Sequence, residues 1–288
     1  LKQITVISGK GGTGKTSLTA CFAALSEGAV FADCDVDASN LHLLLSPTVK
    51  ETTEFKGLML ASINPEKCIG CGLCEKNCRF GAIEGNRVDP LRCEGCRVCS
   101  LVCPAGAVDF TERLCGHAYI SETRFGPLSH ARLSPGMNNS GKLVTLVRMN
   151  AQGIAEATGR DLIIVDGSPG IGCPVIASLS SVDACLIVTE PTPSGRYDMI
   201  RALRLARHFG IKPLVCVNKY DLNVENTEGI RGYCSEEGAT YVGSIPFDPS
   251  FTEAMVRGIT LVEFKPDSDT VREIVKMWGL LRRELDLP

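Results

Sequence analysis

An excess of either charge is missing from this sequence: 30 Lys and Arg face 33 Asp and Glu across 288 residues, a net charge of −3. So even a balance offers no electrostatic footprint for nucleic acid, and none is expected as a partner. No run of about 18 apolar residues occurs, which argues against a membrane-spanning helix. A charged leader with a cleavable apolar stretch is also missing, because the first residues go directly into QITVIS at 3–8. The expected location is therefore the cytoplasm. What remains is a chain with 44% hydrophobic residues, enough for a sizeable core in one large domain or two smaller ones.

Cysteine is plentiful, with 15 in all and eight of them inside residues 68–103. CGLCEKNCRFGAI at 71–83 and CRVCSLVCPAGAV at 96–108 match in their cysteines and in the closing Gly-Ala-aliphatic, 25 residues apart. Such a match marks an internal duplication. Cys68, Cys71, Cys74 and Cys78 form C-x-x-C-x-x-C-x-x-x-C, and Cys93, Cys96, Cys99 and Cys103 repeat it with Pro104 behind. Three thiolates at this spacing wrap three irons of one cubane, and the fourth cysteine reaches the other cluster. The expected assignment is crossed. Cys68, Cys71, Cys74 and Cys103 would bind one [4Fe-4S] cluster, and Cys93, Cys96, Cys99 and Cys78 the other. Structural zinc is the alternative, though it typically uses C-x-x-C pairs separated by a longer loop rather than triplets. Disulfides suit a reducing compartment poorly. Arg79 stands where the bacterial ferredoxin pattern has proline, and its charge is expected to raise the reduction potential of the Cys78-ligated cluster.

QITVIS reads as a strand, GKGGTGKT at 9–16 as a glycine-rich loop, and SLTACFAAL as a helix. The loop satisfies G-x-x-x-x-G-K-[ST]. Gly9, Gly11, Gly12 and Gly14 let backbone N–H groups turn inward around phosphate, Lys15 reaches the terminal phosphates, and Thr16 ligates Mg2+. Lys10, Thr13 and Ser17 complete the expected nucleotide-binding set.

With its second lysine, Lys10, ahead of the glycines, K-G-G-T-G-K-T resembles the deviant Walker A motif of the MinD/ParA/nitrogenase-iron-protein class. FADCDVDASNL at 31–41 resembles that family's second acidic loop, and DLIIVDGSPG at 161–170 its Walker B and switch II segment. The resemblance implies that Lys10 reaches into a partner subunit's site when a dimer sandwiches ATP. It implies that Asp35 orients the attacking water, and that Asp166 holds Mg2+ through water while Gly170 lets the switch move. Lys10, Lys15 and Asp35 are thus the expected catalytic residues. Phosphoryl transfer asks for these types, because its charge is neutralised by lysine and magnesium and its water is placed by a carboxylate. Asp33 and Asp37 read instead as turn residues capping the next segment.

Short buried-type strands at 184–189, 213–218 and 241–245 alternate with helical stretches. This predicts an α/β fold, a doubly wound and mostly parallel sheet with nucleotide at the carboxyl ends of its strands. Asn218 in VNKYD resembles the family's adenine-contacting asparagine, and Pro246 in IPFD resembles its loop over the base. The same string resembles the N-K-x-D guanine motif, with Asp221 in the reading position. ATP is expected, because Lys10 and the flanking motifs belong to the ATPase class.

Three segments follow: 1–59 as the first part of a P-loop ATPase core, 60–113 as an inserted ferredoxin-like α+β domain, and 114–288 as the second part of the core. The last segment is expected to begin with a connecting loop over 114–142, rich in Gly, Pro, Ser and Asn, and to re-enter the sheet through LVTLVRM. His117 and His130 have loop neighbours and no partner pattern. Near the end, Val271, Ile274, Val275, Trp278, Leu281 and Leu285 recur at helical spacing. Glu273, Glu284 and Asp286 offset the basic residues there, so a helix packed on the sheet is expected rather than a membrane-targeting tail.

Over nearly its whole length the chain resembles MinD-superfamily P-loop ATPases with an inserted two-cluster ferredoxin domain. That group is often labelled cobyrinic acid a,c-diamide synthase-like, yet the amidotransferase half of such a synthase has no counterpart here. The resemblance implies ATP, Mg2+ and two [4Fe-4S] clusters as cofactors. Implied partners are a second copy or a related ATPase in a dimer, and a redox or iron-sulfur partner protein. Cys173 resembles in position the cluster cysteine of the nitrogenase iron protein, but the pair is incomplete and a small buried thiol is expected. The expected function is ATP hydrolysis coupled to electron transfer or partner docking, with iron-sulfur cluster assembly or carriage, or MinD-like spatial organisation, as alternatives.

Overall fold

In the first strand, β1 (Lys2–Ser8), every residue from Ile4 to Ser8 is buried, the pattern of a strand covered on both faces. The computed structural model describes residues 1–137 and 140–287. Asn138 and Asn139, within the expected connecting loop, and the terminal Pro288 lie outside the described residues. After β1 come α1 (Lys15–Leu25), β2 (Val30–Asp33), α2 (Leu41–Leu45), β3 (Thr48–Ile63), α3 (Leu73–Lys76), β4 (Ile83–Glu84), β5 (Arg87–Val88), α4 (Val98–Leu101), β6 (Val108–Thr123) and β7 (Gly126–Leu133). The chain continues through α5 (Ser140–Thr158), β8 (Leu162–Pro169), α6 (Cys173–Leu179), β9 (Ala184–Thr189), α7 (Pro193–His208) and β10 (Lys212–Asn218). It ends with α8 (Val224–Glu236), β11 (Thr240–Ile245), α9 (Ser250–Val256), α10 (Leu261–Phe264) and α11 (Asp269–Glu284).

A nine-stranded sheet runs β11-β10-β9-β1-β8-β2-β7-β6-β3. β1 pairs in parallel with β8 and β9, β2 with β8 and β7, and β10 with β9 and β11. Because successive side chains of a strand point to opposite faces, the sheet divides the core in two. Ile4, Val6, Leu186 and Val188 join Phe22 and Trp278 on one face, while Ile7, Cys185 and Ile187 join Met199 and Leu203 on the other. Burial of Met199, Ala202, Leu203 and Ala206 on α7 and of Val271, Ile274, Met277, Trp278 and Leu281 on α11 follows the helical period. The terminal stripe is thus a core face apart from Val275, which is exposed, with the Trp278 ring stacked on Phe22 at 5.3 Å. Among the described residues no helix is long and apolar enough to cross a membrane.

Contacts divide the chain into two compact units, one of Leu1–Thr52, Ala118–Arg132 and the chain from Ser140, the other of Thr53–His117 with the stretch from Leu133. The second unit is wider than 60–113 because β3 and β6 continue without a break past those limits. Its apolar core is small: Ala61, Cys74, Ile83 and Cys99 are buried, with Ile63, Val88, Val108 and Phe110 packed on them.

Two expectations are corrected. The segment read as a connecting loop is largely the end of β6 and all of β7, joined at Arg124 and Phe125. Its Ser and His residues suit a strand because they find partners: Ser129 Oγ donates to the Val147 carbonyl at 2.8 Å, and Ser121 Oγ meets His130 Nε2 at 2.8 Å. LVTLVRM is not a strand but part of α5, where Leu143, Val144, Val147, Ala151 and Ala155 are buried at helical spacing.

Candidate functional site

The glycine-rich loop joins β1 to α1, so its amides stand at a helix N-terminus at the carboxyl edge of a parallel sheet. Around it lies a cavity of ≈ 670 Å³ whose lining includes Gly11, Gly12, Thr13, Gly14, Lys15, Thr16, Ser17 and Asp35. Leu43, Leu44, Phe247, Phe251 and Met255 line it as well, giving one cavity both polar and apolar walls. Gly9 and Lys10 are not among its lining residues. Thr13 Oγ1 is buried without a hydrogen-bond partner among the described residues, as suits a loop shaped for a phosphate ligand.

Lys15 carries the electrostatics. Its Nζ is 2.7 Å from Asp166 Oδ1, 3.6 Å from Asp35 Oδ2 and 3.2 Å from Thr16 Oγ1. Burial works against the ammonium, but Asp166 and Asp35 outweigh it and hold the Lys15 pKa above its ordinary value. Asp166, fully buried within β8, also accepts from Thr16 Oγ1 at 2.7 Å and Thr19 Oγ1 at 3.2 Å. Burial raises the Asp35 pKa, with Lys15 pulling it down and Asp166 pushing it up. Asp33 is a brace: buried, it accepts from the Asp35 amide, Ser39 Oγ and the Leu41 amide. Burial, then the charge of Asp166, lifts its pKa to about 7.

Lys10 points to Glu190, 3.3 Å from Oε2, and Lys219 reaches Glu190 Oε1 as well. Glu190 was not foreseen; its signal is a charged residue at the carboxyl end of a buried strand. Asn218 spends both ends of its amide on backbone, donating to the Thr13 carbonyl at 2.8 Å and accepting the Lys219 amide at 3.0 Å. Pro246 lines the cavity, whereas Asp221 accepts the Phe247 amide at 2.6 Å. Cys21, Cys34, Cys185, Cys216 and Cys234 are fully buried, and burial pushes the Cys21 thiol up to about 12. Cys173, expected to be buried, is exposed at the start of α6.

In the other unit, Cys68, Cys71, Cys74 and Cys103 line one cavity, and Cys78, Cys93, Cys96 and Cys99 line another. The two sets are those of the crossed assignment. The duplication extends to the backbone: Gly70 and Gly95 have φ of 68° and 63°, Gly81 and Gly106 both 58°, and Gly72 and Arg97 have 69° and 65°. Ala82 N donates to Cys78 Sγ at 3.3 Å and Ala107 N to Cys103 Sγ at 3.3 Å. Among the described residues no three His, Cys, Asp or Glu are grouped to hold a single metal ion. The quartets line those two cavities.

A P-loop at the centre of a mostly parallel sheet, with a lysine and two carboxylates at its mouth, defines a nucleotide-binding protein of the α/β class. The chain belongs to the CobQ/CobB/MinD/ParA nucleotide-binding domain family, whose pattern matches residues 4–262. It is 36% identical over 226 residues to the uncharacterized protein MJ0578 of Methanocaldococcus jannaschii, covering 77% of this chain and 80% of that one. It is 27% identical over 139 residues to the cytosolic Fe-S cluster assembly factor NBP35 of Eremothecium gossypii, covering 42% of each chain. Among solved structures, the septum site-determining protein MinD of Pyrococcus horikoshii, complexed with Mg-ADP, superposes with a TM-score of 0.62. That match covers 97% of this chain and 95% of that one at 18% identity, a likeness of fold.

Proposed function

We propose that the protein is an ATPase that dimerises on nucleotide and couples that change to two [4Fe-4S] clusters serving electron transfer to a partner protein. The observation that carries this reading is the sorting of eight cysteines into two crossed quartets in a chain that also holds a P-loop. Loop amides and Lys15 bind the phosphates, while Thr16, and Asp166 through water, hold Mg2+. The metal supplies charge neutralisation on the phosphates. Lys15 exchanges carboxylate partners for phosphate, which frees Asp35 to orient water. Lys10 leaves Glu190 to serve the partner subunit's nucleotide. The apolar cavity wall with Pro246 takes the base, and ATP is favoured over GTP because Lys10 and the flanking motifs belong to the ATPase class and Asp221 is not among the residues lining the cavity.

Each cluster, when bound, supplies a one-electron couple. Around the two cavities the chain provides four thiolates apiece and a matching N–H···S bond, and it buries Cys74 and Cys99. Anaerobic reconstitution is expected to give about eight irons per chain, four for each cubane. Magnesium-dependent ATP hydrolysis should disappear in Lys15→Ala, and electron transfer from the clusters to a soluble acceptor should change in rate with ATP in the native chain only. Zinc in place of iron, or rates indifferent to ATP, would overturn the proposal.

A second reading, cluster assembly or carriage, is favoured by the similarity to NBP35. It requires that reconstituted clusters move to an apo-ferredoxin at a rate set by nucleotide. Clusters that stay in place through that incubation argue for the redox reading.

A further inference from the structure

The two halves of the cysteine unit are alike in backbone and unlike in one charged position. Resting on the reading of the quartets as cluster ligands, we propose that Arg97 makes the cluster at Cys78, Cys93, Cys96 and Cys99 the higher-potential member of the pair. An electron entering the unit therefore comes to rest there.

Several levers set the potential of such a cluster: its charge surroundings, hydrogen bonds to its sulfurs, and exposure to solvent. Hydrogen bonding is matched between halves, since the Ala82→Cys78 and Ala107→Cys103 N–H···S bonds are both 3.3 Å. Exposure is matched too, because Cys71 and Cys96 are both exposed, and Cys74 and Cys99 both buried. Charge is where they part. Arg97 lines the second cavity, and its counterpart 25 residues earlier, Gly72, lines the first. The Arg97 guanidinium sits 5.5 Å over the Phe110 ring, itself a wall of the same cavity, so the charge is held at the site. Its backbone is left-handed, φ 65°, where the first half has a glycine at 69°. A side chain is thus kept at a position whose conformation disfavours one. Glu94 also lines the second cavity and opposes Arg97 in formal charge, but the Arg97 guanidinium is the charge fixed there by a ring of the cavity wall. No charged side chain lines the first cavity.

A positive neighbour stabilises the reduced, more negative cluster. When one electron passes within the unit, the first cluster goes from 1+ to 2+ and the second from 2+ to 1+, with no further reactant.

The test is a dithionite titration of the reconstituted full-length protein, followed by electron paramagnetic resonance at each potential. The native protein should show two unequal steps. Arg97→Gln should lower the upper step and narrow the gap while the lower step stays put, and Arg97→Lys should restore it. Gly72→Arg, which places the charge at the matching left-handed position, should raise the lower step instead. An unchanged gap in Arg97→Gln, or a gap that Arg97→Lys fails to restore, overturns the proposal. Should Gly72→Arg fail to fold, the Gln and Lys variants still decide. Failure of the underlying reading looks different: fewer than about eight irons per chain, or no cubane signal in any variant.

Discussion

Lys15 and Asp166 form a buried ion pair between the start of α1 and β8, with Asp35 as a third member. Removing one partner of such a pair leaves an uncompensated charge, so Lys15→Ala should destabilise the protein by about 3–5 kcal/mol as well as abolish nucleotide binding. Denaturant unfolding without ligand measures the first effect. Asp35→Asn separates chemistry from binding: ATP affinity should persist while turnover falls by about 10²–10⁴-fold, the usual worth of a positioned carboxylate in proton transfer. A third expectation concerns His130, whose pKa burial and the neighbouring His42 lower to about 4. Its folded pKa lies below the unfolded value, so the unfolded chain binds the extra proton and stability falls as pH drops from about 6.5 toward 4. His130→Phe should flatten the unfolding free energy across that window. The His130 environment could not be read from sequence, where it has only loop-like neighbours; its burial depends on β7 pairing with β2, a long-range event.

At the level of elements, the legible parts were those whose spacing encodes chemistry. Strand, loop and helix around residues 3–25 and the alternation after residue 160 are periodic enough to read directly. Errors fell where tertiary contacts override composition. GPLSHA looks like a loop, yet it is a strand because Ser129 is satisfied by a carbonyl of α5 and His130 by Ser121 of β6. LVTLVRM is apolar enough for a strand, and only the wider run of buried positions through Ala155 reveals a helix. Glu190 escaped notice because a lone glutamate carries no motif. The packing of α7 also makes a prediction. A Cβ at Gly9 would lie 2.2 Å from Asp198 Cβ, so Gly9→Ala must displace either the nucleotide loop or the start of α7. Weaker nucleotide binding with the unit still folded is expected, read by calorimetry and circular dichroism. On α11, Trp278→Ala should cost about 3–5 kcal/mol in unfolding experiments, as for a large core aromatic.

For the molecule as a whole, the two units differ in what holds them together. The nucleotide unit has extensive apolar cores on both faces of its sheet, whereas the core cluster of the cysteine unit is only Ala61, Ile83, Cys74 and Cys99, with Phe55, Ala82, Ala107 and Cys115 buried besides. So small a core seldom folds unaided, and bound metal commonly makes up the difference. Iron-free protein should therefore be cut by protease within 53–117 while the remainder stays protected and still binds nucleotide; equal protection with and without iron would contradict this. The crossing of the quartets carries one more implication, about descent. One copy of the repeat holds three cysteines of one quartet and a single cysteine of the other, so a lone copy completes neither. An ancestral half-length peptide would have had to meet a second copy of itself to close either set. Fusion of two such copies would make that encounter permanent and would let the halves diverge, as at Gly72 and Arg97.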